Sequence, residues 1–256
     1  MKTPKRLSKE QQAARDALAA LLATPNEADR LYNALPDSHG GRVVSTDLAR
    51  FLDTRYRDTP TGRRRDLAPS WDLAWRYAQD RLKRELTNRG RRKVMRFMAG
   101  GWGAGKTHAL QGAALADVAW DGTLSDTAWA REMIDLALDH GWRVEIDYVF
   151  RDIELALYGA VERARKEGRS VPLPELPANH RAVQHSILWL LPLYGGNPRV
   201  AFVLLHNTGA ENVKGKSLVV RASELAENGA LHYSHRHEYY YAEAAREIEA
   251  LNPAGE

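Results

Sequence analysis

The most explicit chemistry in this sequence lies in eight consecutive residues, Gly100-Gly101-Trp102-Gly103-Ala104-Gly105-Lys106-Thr107, with His108 directly after them. Glycines at 100, 103 and 105 let the backbone turn tightly and aim its N–H groups inward. A helix beginning near Lys106 adds its positive end, so the segment forms a cradle for phosphate oxygens. In that cradle Lys106 reaches the β- and γ-phosphates of a nucleotide, and the Thr107 hydroxyl ligates Mg2+. The ligand class is ATP or GTP with Mg2+, and the bland alternative is a Gly-rich turn. Such a loop needs a strand before it and a helix after it. The sequence supplies both, as the apolar run Val94 to Ala99 and a helix from Lys106 to Ala114.

Two further segments carry groups suited to phosphate chemistry. Asp121 follows an apolar run, the position from which a carboxylate supports Mg2+ in many nucleotide-binding proteins; the alternative is a simple Asp121-Gly122 turn. Arg163 to Leu173 joins a basic helix end to a Gly/Pro-bounded loop, with Arg163, Arg165, Lys166, Gly168, Arg169, Val171 and Pro172 in order. Planar guanidinium forks bind phosphate oxygens bidentately, so this reads as a lid over a transferring phosphate. A solvated basic helix terminus matched to its own dipole is the alternative.

The elements that must hold these groups are legible as alternating strands and helices. Before the phosphate loop the pattern gives helices over 8–24 and 26–35, a short strand at Arg42 to Ser45 and a helix from Thr46 to Tyr56. A charged loop from Arg57 to Pro69 holds Arg63-Arg64-Arg65, and an amphipathic helix runs from Trp71 to Thr87. After it come a strand ending at Trp120, a helix from Ser125 to His140, a strand from Trp142 to Phe150, a helix capped by Asp152 and closed by Gly168, and a strand from Arg199 to Leu205. This alternation predicts an α/β fold with a parallel sheet of about five strands covered on both faces. The expected organisation is one domain over 1–256: N-terminal helices to 40, a core over 41–210, and a C-terminal loop and helix over 211–256.

Composition restricts the remaining classes. The 256 residues include no cysteine, which excludes disulfides, thiolate nucleophiles and cysteine zinc sites. No apolar run approaches the roughly 18 residues of a membrane span, and the polar N-terminus lacks a signal-peptide apolar region, so a cytoplasmic, membrane-free protein is expected. A net charge of +4 suits nucleic acid and multiply phosphorylated substrates equally.

Taken in order, Asp121-Gly122-Thr123-Leu124, the strand Gly141 to Phe150 and the arginine-rich Arg163 to Leu173 resemble the zeta toxin family of phosphate-loop kinases, over roughly residues 40–210. The resemblance implies a kinase-like phosphate-loop fold. It also implies transfer of phosphate from ATP, with Mg2+, to a small-molecule hydroxyl such as that of a nucleotide sugar like UDP-N-acetylglucosamine. A toxin role with an antitoxin partner follows from the resemblance alone. Thr123 would touch substrate, and Lys106, Arg163 and Arg169 would act on the transferred phosphate.

The sequence departs from the family pattern at one place. Zeta-type kinases carry an Asp-x-x-Arg strand end after the phosphate-loop helix, its Asp resembling a base for the acceptor hydroxyl. Only 13 residues separate Thr107 from Asp121, too few for an extra strand and crossover. The motif instead lies upstream, as Val43-Val44-Ser45-Thr46-Asp47-Leu48-Ala49-Arg50. A permuted core follows, with Asp47 as base and Arg50 holding substrate; ordinary helix capping by Ser45, Thr46 or Asp47 is the alternative. Arg63 to Arg65 and Arg89 to Lys93 keep a nucleic-acid enzyme of polynucleotide-kinase type open, and a nucleotide switch is the third class. Trp102 reads either as a stacking or covering side chain or as packing against the N-terminal helices. His206-Asn207-Thr208, at the end of the last strand, either lines the base pocket or starts the following loop. His232, His235 and His237 read as an exposed helix lead-in rather than a metal site, since no carboxylate or cysteine partner follows at a recognised spacing; Tyr239 to Tyr241 read as packing residues, and Lys214 and Lys216 as a flexible polar loop, with phosphate contact the alternative.

Overall fold

The computed structural model describes residues 7–88, 94–112, 116–207 and 217–218. The chain begins with α1 (Lys9–Leu22), opened by a capping box: Gln11 N–H donates to Ser8 Oγ at 3.1 Å and Ser8 N–H to Gln11 Oε1 at 3.0 Å. Next come α2 (Pro25–Asn33), the short strand β1 (Val43–Val44), α3 (Thr46–Ala49), α4 (Thr54–Asp58) and the long helix α5 (Pro60–Thr87). The remainder is β2 (Val94–Ala99), α6 (Lys106–Gly112), β3 (Val118–Asp121), α7 (Thr127–Asp139), β4 (Arg143–Phe150), α8 (Ile153–Glu167), α9 (Leu176–Tyr194), β5 (Val200–His206) and β6 (Ser217–Leu218).

Five strands are parallel in the order β1-β3-β2-β4-β5, and β6 adds an antiparallel pair at the far edge. The register sets Val44 opposite Trp120, Trp120 opposite Phe97 and Phe97 opposite Ile146. The carboxyl ends of β1, β3 and β2 therefore step out by one residue each, and β4 runs on to Phe150 beyond Tyr148, the partner of Ala99. Loops leaving that rim meet one another, which is where open α/β sheets carry their ligands.

Alternation along the strands builds two cores. Met95, Phe97, Trp120, Ile146 and Tyr148 face α5, α7 and α9, while Val43, Met98, Ala119 and Val149 face Ala104 and Leu110 of the phosphate-loop side. The N-terminal helices pack on the other side of α5 through Leu18, Tyr32, Ala74 and Tyr77. They also close the exposed edge of β1. The fully buried Tyr32 hydroxyl donates to Val43 O at 2.9 Å and accepts from Ser45 N–H at 2.9 Å, supplying the partners that a sixth parallel strand would.

Three sequence expectations change. Arg57 to Pro69 is mostly helix rather than a charged loop, because Pro60 occupies the first helical position, where no N–H is needed, and Thr59 Oγ1 accepts from Gly62 N–H at 2.9 Å. Pro69 lies inside α5, and its carbonyl accepts from Arg15 Nη1 at 2.6 Å. The segment from Thr46 to Tyr56 is two short helices joined by a tight turn at Arg50–Leu52, with Asp53 capping the second. The nineteen-residue α9 was not anticipated; its buried positions span several faces and prolines 177 and 192 interrupt its pattern. The expectations for Lys214, Lys216, His232, His235, His237 and Tyr239 to Tyr241 lie outside the described residues, as does the basic cluster after residue 88. No helix among the described residues is long and apolar enough to cross a membrane.

Candidate active site

The loop between β2 and α6 is shaped by its neighbours. Gly103 adopts φ +76°, and a Cβ there would lie 2.0 Å from Ala156 O of α8, so only glycine fits both the backbone and the space. Five successive carbonyls of the loop accept from side-chain donors. Lys106 Nζ donates to Gly100 O at 2.8 Å and to Gly101 O at 3.0 Å, while His180 Nε2 meets Trp102 O at 2.8 Å. Arg151 Nη1 donates to Gly103 O at 2.9 Å, and Asn207 Nδ2 to Ala104 O at 2.9 Å. Gly100, Trp102 and Ala104 already donate their N–H groups within the protein, so the first-turn N–H groups of α6, which lack intrahelical partners, are the amide donors offered to an anion.

Asp121 ends β3 beside this loop. Its Oδ2 accepts from Thr107 Oγ1 at 3.0 Å, and burial pushes its carboxyl pKa up against the pull of Lys106. A buried carboxylate whose charge is disfavoured, touching a hydroxyl, suits a hard divalent cation. Mg2+ is commonly held by one or two such oxygens plus phosphate and water, so Thr107 and Asp121 fit it. Among the described residues no group of three or more His, Cys, Asp or Glu forms a cage. The following residues are fastened to the phosphate loop. Gly100 N–H donates to Thr123 O at 3.2 Å, and Thr123 Oγ1 lies 2.9 Å from Ser125 Oγ. Leu124, 2% exposed, takes the left-handed region at φ +57°, a strained conformation stored next to the site.

From the β1 end, Asp47 enters the same rim. Arg50 Nη1 donates to Asp47 Oδ1 at 3.0 Å, and Arg169 Nη2 bonds Asp47 Oδ2. Burial alone would raise this carboxyl, but Arg169, Arg50 and Arg163 together hold it well below the usual carboxylate range. Asp47 also acts electrostatically on Lys106 and on Asp121, so the two halves of the rim form one charged cluster. Lys106 is pushed down to about 8 by burial, with Asp121 opposing and Arg163 assisting. Arg163 is lowered by burial and by Arg169; its Nε is buried and has no hydrogen-bond partner among the described residues. It is the cation of the cluster most ready for an incoming anion.

Residues 114–190 match the zeta toxin family. The matched stretch, which covers less than half of the chain, carries Asp121, Thr123, Arg163 and Arg169, and the parallel α/β sheet found here is consistent with a kinase-like phosphate-loop fold. The phosphate loop and Asp47 lie before it. No curated protein matches the chain.

Beside the zeta toxin match, the structure places several residues differently from the sequence reading. Arg50, read as a substrate ligand, is 5% exposed and lies behind Asp47, its guanidinium 5.9 Å from the Tyr56 ring centre. Trp102 packs not on the N-terminal helices but against the buried cluster of Ile153, Leu157, Ala160, Val161 and Leu176, which Val171 and Leu173 of the loop after α8 also join. His108 is exposed on α6. Asn207 braces the loop through Ala104 O, and Ser45, not Asp47, caps α3 by accepting from Asp47 N–H at 3.2 Å. Sequence reasoning missed Asn179, His180 and Arg151, which reach the loop from residues distant in sequence, with no local motif to mark them.

Proposed function

We propose that this protein is an ATP-dependent kinase that transfers the γ-phosphoryl group to a hydroxyl of a small molecule. The acceptor class carried over from the zeta toxin resemblance is a nucleotide sugar such as UDP-N-acetylglucosamine, and a toxin role with an antitoxin partner comes from the same source. One observation carries the reading: Asp47, Arg163 and Arg169 share a charged cluster with Lys106, Thr107 and Asp121 at the carboxyl rim of the sheet.

In this mechanism the phosphate loop and Lys106 hold the β- and γ-phosphates of ATP, while Arg163 and Arg169 offset charge on the transferring group. Mg2+, held by Thr107 and Asp121, would neutralise phosphate charge. The acceptor oxygen forms its bond to the γ-phosphorus as the bond to the bridging oxygen of ADP breaks, and the acceptor proton passes to Asp47. Asp47 is a weak base, which suits a loose transfer in which the proton leaves late and positioning dominates. Arg50, fixed behind Asp47, orients the carboxylate.

Thermal stabilisation separates the classes. Mg-ATP should raise the melting temperature, and UDP-N-acetylglucosamine should raise it further, whereas single-stranded oligonucleotides should not. Further stabilisation by oligonucleotides and none by UDP-sugars would replace this reading with a nucleic-acid enzyme.

A further inference from the structure

The phosphate loop is held from outside by two consecutive residues of α9. Asn179 Oδ1 accepts from Trp102 N–H at 3.1 Å, and His180 Nε2 meets Trp102 O at 2.8 Å, so one helix grips both backbone polar atoms of a single loop residue. Because a carbonyl only accepts, His180 must carry its proton on Nε2. Burial pushes the imidazole down to about 4, which keeps it neutral across the physiological range. Its ring also fills the space beside the loop: a Cβ on Gly101 would lie 2.1 Å from His180 Cδ2. The Trp102 side chain packs on the same buried cluster of α8 and Leu176 as Val171 and Leu173, so the gripped residue shares a core with the segment that follows Arg169.

We propose that Asn179 and His180 are positioning residues for nucleotide binding, forming a clasp that holds Trp102 and keeps the phosphate loop in its anion-receiving shape before ATP arrives. This rests on the nucleotide-binding reading. Without the clasp the peptide groups flanking Trp102 lose their fixed orientation, and part of the binding energy of ATP must re-form the loop. The clasp therefore acts on the affinity for ATP and not on the transfer step.

Calorimetric titration of Mg-ATP into the protein, without any acceptor, tests the clasp directly. His180→Ala should weaken binding about tenfold, and Asn179→Ala, which removes one acceptor at a partly exposed position, about threefold. His180→Gln places an N–H donor at nearly the same reach and should restore binding to within about threefold of wild type. In the transfer or hydrolysis assay His180→Ala should raise KM for ATP about tenfold while kcat at saturating ATP stays within about threefold. A purely structural histidine would lower the amount of active protein without this split and would not be rescued by Gln. The proposal is overturned if His180→Ala binds Mg-ATP within twofold of wild type, or if His180→Gln is as weak as His180→Ala. If His180→Ala does not fold, unaltered binding by Asn179→Ala overturns it. Failure of the wild type itself to bind Mg-ATP would remove the nucleotide reading and the clasp with it.

Discussion

Tyr32→Phe removes one oxygen atom and keeps the ring, which makes it the cleanest probe of how the N-terminal helices support the site. The ring stays beside Tyr77 at 5.7 Å between centroids and under Arg81 at 4.6 Å. What disappears is the bridge between Val43 O and Ser45 N–H, on the outer edge of β1. Tyr32 is 0% exposed, so no water takes the oxygen's place. Two buried backbone groups are left without that partner, at about 1–3 kcal/mol each, so the expected loss is about 2–6 kcal/mol. That is a large share of the roughly 5–15 kcal/mol that holds a protein folded, and at about 2–4 °C per kcal/mol it corresponds to a fall in melting temperature of roughly 4–24 °C. Urea unfolding should show a lower midpoint with an unchanged slope. Ser45 also caps the turn that carries Asp47, so kcat for phosphate transfer should fall while the affinity for Mg-ATP, bound by the loop after β2, is retained. A loss below about 0.5 kcal/mol at unchanged slope would refute the claim that Tyr32 completes the sheet edge.

Further outcomes follow from the cluster and the sheet. Asp47→Asn should cut the transfer rate by about 10²–10⁴-fold while Mg-ATP affinity stays within about threefold, measured by product formation and titration; a wild-type rate makes Asp47 a structural residue. Lys106 sits at about 8, so it is protonated at neutral pH and loses its charge as pH rises through 8. Affinity for Mg-ATP should accordingly fall above pH 8, by about tenfold per unit at most, and an affinity flat to pH 9.5 would contradict this. Asp147 is buried, with its carboxyl raised to about 6 by desolvation against the pull of Arg96. Because its folded value lies above the unfolded one, its contribution is full below about pH 3.9 and is lost as pH rises through about 6. Asp147→Asn should therefore flatten the stability profile between pH 4 and 6.5 and be more stable than wild type at pH 7.5, by up to about 3 kcal/mol; chemical denaturation across pH measures it.

Chemistry that is local in sequence was legible. The phosphate loop announces itself because its glycines, Lys106 and Thr107 must be contiguous, and the short gap before Asp121 sent the search upstream to Asp47, which the parallel register of β1 and β3 brings to the same rim. What was not legible depends on distant packing. Arg151, Asn179, His180 and Asn207 brace the loop from three elements, and each satisfies a carbonyl or N–H that has no signature of its own. The α9 helix is buried on several sides, so its apolar residues show no single stripe, and its prolines argued against a helix. Pro60 and the arginines after it suggested a loop, where the fold uses the proline to start α5 and Arg63 to reach the Glu167 carbonyl at the base of the lid. Arg50 illustrates the same limit, since its type suits a substrate phosphate and only the fold turns it inward onto Asp47.

The measurement that bears most directly on the whole account is mass-spectrometric detection of phosphorylated product after the protein is incubated with Mg-ATP and a metabolite extract supplemented with UDP-N-acetylglucosamine. Wild type should produce a species heavier by one phosphoryl group, and Lys106→Ala and Asp47→Asn should not. ATP binding without any phosphorylated product, or product formed equally by Asp47→Asn, would contradict a transfer site built jointly from the phosphate loop and the β1 end of the sheet.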